Sequence, residues 1–197
     1  MKEEYLLSPE TLNIIAKATA AGVPVTASLQ EFQENPTTVQ PQPQYIVRYY
    51  DTKETYMTKL IQLGSTAAVK MLLQYGSDPN KRNLQRISPI VAAANKGMLQ
   101  AMIGLISFGA DVNINNGSDT TAVIQAAHFG FLEIVCLLLK HGAHPNFVNK
   151  NGTSALMRSS QEGYLDISRV LLEAGADARA CNTGQMNALM LAAQRGH

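Results

Sequence analysis

Short apolar blocks separated by glycines and polar turns run through most of the 197-residue chain. In one well-marked stretch Ala126 and Ala127 precede Gly130, and Ile134 and Leu138 follow it. Spacings of three and four residues place apolar side chains on one face of a helix. The pattern therefore predicts a helix, a tight turn at the glycine and a second helix.

The same pattern returns every 33 residues, which indicates an array of repeats. The first glycine series comprises Gly64, Gly97, Gly130, Gly163 and Gly196. A second series lies twelve residues behind the first and comprises Gly76, Gly109, Gly142 and Gly175. A glycine just past a helix end can adopt the left-handed conformation without a Cβ clash. Both series are therefore predicted to close helices.

A serine or threonine opens four of the predicted first helices, at Thr55, Ser88, Thr121 and Ser154. An oxygen at this N-cap position can accept a hydrogen bond from a backbone N–H that has no partner within the helix. We therefore expect each of these side chains to cap its helix.

The repeats resemble ankyrin repeats over residues 55–197. The resemblance rests on the alanine pairs, the two glycine series and the Ile-Val and Leu-Leu-Leu block, and it is closest at residues 131–143, which read FLEIVCLLLKHGA. It implies an all-α solenoid of stacked helix-turn-helix units joined by β-hairpin-like loops. Residues 51–197 would then hold four full repeats and a fifth truncated after its first helix, so we expect the natural protein to continue beyond residue 197.

One departure from the family pattern concerns the fourth place of each first helix, where the family has a histidine. That place holds Thr58, Val91, Ile124, Met157 and Met190. In the family this histidine ties the helix start to the neighbouring loop through a hydrogen bond. We therefore expect lower stability than in an array that keeps it.

Residues 1–50 fall outside the 33-residue period. Residues 1–25 are predicted to be either a capping helix or a degenerate half-repeat, and the Gln- and Pro-rich residues 26–50 a linker or long loop. Four tyrosines lie at the end of this segment or just after it, namely Tyr45, Tyr49, Tyr50 and Tyr56. We expect them either to shield the end of the stack or to form a peptide-docking surface.

Composition narrows the class of protein. The formal net charge of +1 is too near neutral for a protein that binds nucleic acid by broad phosphate neutralisation. The two cysteines are too few for a disulfide framework, and no apolar run approaches the roughly 20 residues that span a bilayer. We expect a protein of the cytoplasm, the nucleus or both, with no membrane partner.

No catalytic constellation stands out. The pair His141 and His144 falls in a turn where the family has variable polar residues, so we expect no metal site there. There is no Walker-type glycine loop and no nucleophile elbow. The sequence predicts neither a catalytic site nor a cofactor.

The resemblance instead points to a partner-binding surface on the first helices and loop tips. Its predicted residues precede each glycine of the first series or lie one turn earlier: Gln62, Leu63, Asn95, Lys96, His128, Phe129, Arg158, Gln161, Glu162, Gln194 and Arg195. Phe129 is either the central hot spot of this surface or a residue that packs against neighbouring repeats.

The hairpin asparagines Asn80, Asn113 and Asn146 each follow a leucine by eight residues. This pattern is similar to that recognised by the asparaginyl hydroxylase that acts on ankyrin repeats, although asparagine also has a structural role in such turns. Hydroxylation at these positions is therefore a hypothesis.

The leading functional hypothesis is a monomeric, non-enzymatic module that binds a protein or peptide. The alternative is a substrate-recruiting or regulatory arm of a larger enzyme whose catalytic domain lies beyond residue 197. A small ligand or nucleotide in the groove is disfavoured, because no basic cluster faces a glycine-rich loop.

Overall fold

The structure, a computed structural model, describes residues 56–74 and 76–197. Within these ranges the chain forms nine α-helices and no strand: α1 (Tyr56–Gln62), α2 (Thr66–Gln74), α3 (Pro89–Lys96), α4 (Leu99–Ser107), α5 (Ala122–Phe129), α6 (Leu132–Lys140), α7 (Ala155–Gln161), α8 (Leu165–Glu173) and α9 (Ala188–Arg195). The predictions for residues 1–25 and 26–50, for the N-cap at Thr55 and for the tyrosine side chains lie outside the described residues.

The helices alternate between two rows. The first helices of the units are α1, α3, α5, α7 and α9, and each contacts the next along the stack. The second helices α2, α4, α6 and α8 form the other row and also contact one another in order. The predicted all-α solenoid is confirmed. The predicted hairpin-like loops contain isolated β-bridges, from Asn115 to Thr121 and from Val148 to Ser154.

The core is a chain of interfaces between consecutive units. Ile90, Ile124 and Met157 of the first helices are almost fully buried, as are Leu105 and Leu138 of the second helices. Alanines at 93, 94, 126 and 127 have no exposed surface, so adjacent first helices pack closely at these positions. Each unit thus buries its apolar side chains only with the help of its neighbours.

The glycines of both series adopt positive φ in the structure, as predicted. Gly130 shows a second reason for glycine in the first series. It closes α5 at φ +80°, and an added Cβ would lie 2.8 Å from the ring of Tyr164. The same close approach joins Gly97 to Phe131 and Gly163 to His197. Phe131, Tyr164 and His197 each directly follow the first-series glycine of their own unit, and each packs on the equivalent glycine of the preceding unit.

The predicted N-caps are correct in position but only partly correct in bonding. Ser88, Thr121 and Ser154 all have extended backbone at the N-cap, yet of these only Ser154 accepts a hydrogen bond, from the backbone N–H of Met157 at 3.3 Å. The prediction of a side-chain cap is wrong for Ser88 and Thr121, whose hydroxyl oxygens are buried without a partner.

The place at which the family has a histidine is apolar in both of these units. Val91 and Ile124 occupy the site of the family's histidine and are buried, so they offer no polar group near the helix start. Thr58 differs, because its Oγ1 accepts a hydrogen bond from Asn83 Nδ2 at 3.4 Å. The first unit therefore keeps a polar tie to its following loop.

Three asparagines, which we call the loop asparagines, connect consecutive units: Asn80, Asn113 and Asn146. Asn113 Nδ2 donates to the carbonyl of Gly142 at 3.0 Å, and the N–H of His144 donates to Asn113 Oδ1 at 2.9 Å. Asn80 and Asn146 make the equivalent pair of bonds to the units that follow them. Each loop asparagine thus bridges two units with both ends of its amide.

A second asparagine series, with the same 33-residue period, shapes the hairpin loops, and the sequence reasoning did not single it out: Asn83, Asn116, Asn149 and Asn182. Asn116 Oδ1 accepts from the N–H groups of Ser118 and Thr120, at 2.9 and 3.0 Å. The other three make equivalent pairs of bonds. Such side-chain bonds to the backbone stabilise a turn without a regular ladder.

Candidate functional site

The eleven residues predicted to bind a partner lie at the ends of the first helices. None of them is buried: seven are exposed, and His128, Arg158, Gln161 and Glu162 are half-buried. Because consecutive first helices contact one another, these residues form a continuous row across the stack. We call this row the helix-end surface.

Part of the helix-end surface borders a groove over the first three units. Its rim includes Gln62, Asn95 and Lys96, and its deeper wall is formed by Val91 and Ala92. Polar side chains therefore surround a small apolar floor. This combination suits a ligand with both apolar and hydrogen-bonding groups.

The groove also includes three residues that the sequence reasoning did not name, which are Ile87, Asn116 and Gln125. Gln125 lies 33 residues before Arg158, so it occupies the same place in its repeat as a residue that was predicted. Repeat position was thus a signal that would have found Gln125. Gln125 Nε2 donates to Asn95 Oδ1 at 3.3 Å, which joins α5 to α3 along the groove.

Phe129 lies at the middle of the helix-end surface and is 42% exposed. Its ring centroid lies 4.7 Å from that of His128 and 6.1 Å from that of Phe131. Phe131 in turn packs on Gly97 of the preceding unit. Phe129 therefore has one side supported by the stack and another open to solvent, which is the arrangement of an aromatic anchor.

The polar members of the helix-end surface make few bonds with one another. Arg158 Nη1 donates to Gln161 Oε1 at 3.2 Å, within a single helix. His128 Nδ1 lies 3.7 Å from Glu162 Oε1, beyond hydrogen-bond length. These contacts align neighbouring side chains but leave most of their hydrogen-bonding groups facing solvent.

The two helix rows differ in charge. The first helices carry four cationic side chains and no carboxylate, namely Lys59, Lys96, Arg158 and Arg195. The second helices carry equal numbers of both signs, namely Lys70, Lys140 and Arg169 against Glu133, Asp166 and Glu173. The row that forms the groove is therefore the basic one.

The loop asparagines lie away from the helix-end surface, in the turns after the second helices. Asn80 and Asn113 are half-buried and Asn146 is exposed. Both ends of each amide are bonded to the next unit, so these side chains have a structural role in the stack. Hydroxylation at these positions stays a prediction.

The described residues contain no group of three or more His, Cys, Asp and Glu side chains arranged to hold a metal ion. Cys136 and Cys181 are exposed and form no disulfide. Among the helices of residues 56–74 and 76–197, none is long and apolar enough to cross a membrane.

Comparison with known families agrees with this architecture. A family model described as ankyrin repeats (3 copies) matches residues 57–149, 90–182 and 142–197. The chain belongs to the ankyrin repeat family. A search of the curated proteins found no match. Ankyrin repeats are in general protein–protein interaction modules and are typically non-catalytic.

Membership of the ankyrin family gives the helix-end surface its context. In a repeat stack the conserved interfaces hold the fold, and the remaining positions present side chains to a partner. The residues at the first-helix ends of this ankyrin protein lie outside these interfaces, because none of them is buried while the core positions are.

Proposed function

We propose that this ankyrin chain is a non-catalytic, monomeric module that holds a peptide or protein partner on the helix-end surface and the adjoining loop tips. The observation that carries the proposal is Phe129, a large aromatic side chain that is 42% exposed at the centre of a row of polar residues. An apolar anchor surrounded by polar contacts is the usual energetic layout of an interface.

Exposure alone does not favour Phe129, because Phe108 at the end of α4 is 45% exposed. The two differ in surroundings. Phe129 ends a first helix at the repeat position of Lys96, which borders the groove, whereas Phe108 follows a second helix on the other row. Phe108 is therefore a matched control for the loss of an exposed ring.

The test is affinity purification from cells with the wild-type chain and with the variants Phe129→Ala and Phe108→Ala. We expect Phe129→Ala to lose captured partners that the wild type and Phe108→Ala retain. We expect both variants to shift the thermal unfolding midpoint by similar amounts, because the two rings are similarly exposed. Equal partner capture by all three proteins would overturn the role of Phe129, and a selective loss of stability in Phe129→Ala would assign the ring to packing.

Two further points belong to this proposal. The ankyrin repeats would act in the cytoplasm, the nucleus or both, either as a free-standing adaptor or as the recruiting arm of a larger enzyme. The loop asparagines would also be substrates for hydroxylation, which mass spectrometry of the three peptides from cells would detect as one added oxygen each.

A further inference from the structure

The positive charges on the first helices have no ion-pair partner among the described residues. Among the described residues, Arg169 forms an ion pair with Asp166 on α8, and His128 Nδ1 lies 3.7 Å from Glu162 Oε1. None of the cations at Lys59, Lys96 and Arg195 has a carboxylate of the described residues within ion-pair distance. The cations of the basic row are therefore available to attract an anionic group of a partner.

These cations share the repeat positions that border the groove. Lys96 borders it directly, and Arg195 stands at the same place in a later repeat. Lys59 and Arg158 share the place of Gln125, which also borders it. The positive charge is therefore spread along the row instead of being concentrated in one pocket.

Amide side chains supply the second part of the chemistry. Gln62, Asn95, Asn116 and Gln125 border the groove, and an amide both donates and accepts hydrogen bonds. The oxygens of Asn95 and Asn116 already accept bonds within the protein, so the donors open to a ligand include their Nδ2 groups and the acceptors are the oxygens of Gln62 and Gln125. A peptide main chain presents the complementary N–H and C=O groups, one of each at almost every residue. The phosphates of a nucleic acid only accept hydrogen bonds, so it would have to reach the oxygens of Gln62 and Gln125 with base N–H groups or, in RNA, with 2′-hydroxyls.

Spacing along the stack limits the arrangement of the partner. Lys96 and Phe129 occupy the same position in consecutive repeats, on first helices that contact each other. Packed helices lie about 8–10 Å apart, and an extended chain advances about 3.3 Å per residue. One extended segment would therefore reach both side chains with residues two to three positions apart.

We infer that the occupant of the groove is an extended acidic peptide, with an Asp or Glu at Lys96 and an apolar side chain at Phe129 two to three residues away. This inference rests on the proposed function and specifies the class of partner. The charge complementarity of the basic row and the amide lining carry it.

The test uses the whole 197-residue protein, immobilised to select from a phage library of random dodecapeptides. The strongest selected peptide is then synthesised with a fluorophore, and its affinity is measured for the wild type, Lys96→Glu and Lys140→Glu. Lys96 and Lys140 are both exposed and both lie in the last turn of a helix, so the control repeats the charge change and the effect on the helix dipole.

We expect selected peptides to be richer in Asp and Glu than the unselected library, with an acidic residue two to three positions from a large apolar one. Lys96→Glu should weaken binding about fivefold to tenfold, because it replaces an exposed attraction by a repulsion, and Lys140→Glu should change it less than about twofold. Binding should also weaken as salt is raised.

Several results would overturn the inference. They are peptides without an acidic bias, equal effects of the two charge reversals, no bound peptide, or a single-stranded RNA that displaces the acidic peptide at equal concentration. Peptides without acidic bias that still need Phe129 would remove the inference and leave the proposed function standing. Peptides that bind equally to the wild type, Lys96→Glu and Phe129→Ala would contradict both.

Discussion

Two sets of polar side chains repeat with the same 33-residue period and behave differently. The loop asparagines have both ends of the amide bonded to the next unit, at distances of 2.7 to 3.1 Å. In the helix-end surface one residue makes a hydrogen bond to a neighbouring unit, in which Asn95 accepts from Gln125 at 3.3 Å, and none of its eleven residues is buried. Periodicity therefore shows that a position is part of the repeat, whereas bonding shows whether it serves the fold or is available to a partner.

The largest change in stability is expected from replacing a loop asparagine. Asn113→Ala removes two hydrogen bonds between the second and third units and should lower the free energy of unfolding by about 1–2 kcal/mol. Urea unfolding followed by circular dichroism measures this change, with Gln62→Ala as a control on the other set. An equal loss from Gln62→Ala would break the comparison.

A comparison of two N-cap residues, Ser154 and Thr121, should give a smaller change in stability than the loss of Asn113. Ser154→Ala removes a hydrogen bond to the Met157 N–H and should cost about 1 kcal/mol, the usual loss for an N-cap. Thr121→Val should cost little or increase stability, because its buried hydroxyl has no partner to lose. Both variants are compared with the wild type by denaturant midpoint, and a larger cost for Thr121→Val would refute this account of the helix starts.

The smallest effect is expected within the groove. Gln125→Ala removes a single long hydrogen bond at an exposed site, so its change in unfolding free energy should be below about 0.5 kcal/mol. The same variant should weaken the selected acidic peptide, since Gln125 borders the groove. Calorimetric titration and urea unfolding of one sample give both numbers, and a change in stability without a change in binding would place Gln125 with the structural set.

Local chemistry was enough to predict much of the fold. The glycines past each helix end have positive φ in the structure, since few other residues tolerate that conformation. Contacts between units were harder to predict. The approach of Tyr164 to Gly130 depends on how one unit is placed on the next, which the spacing of residues within a unit does not specify.

The helix starts show where local reasoning was insufficient. Ser88, Thr121 and Ser154 have the same backbone conformation, but only Ser154 makes the capping bond. A hydroxyl can rotate, and whether it reaches its partner depends on the packing of neighbouring side chains. Residue type thus predicted the cap position, and packing decided the bond.

The sequence by itself determined the period, the two helices of each unit and the turns between them, because these depend on apolar spacing and on glycine conformation within about 33 residues. The tertiary structure decided which of the periodic polar side chains form hydrogen bonds to the next unit and which remain available to a partner, since that depends on distances across the stack. It also brought Lys96, Gln125 and the apolar floor at Val91 and Ala92 to one groove, from the first helices of two consecutive units.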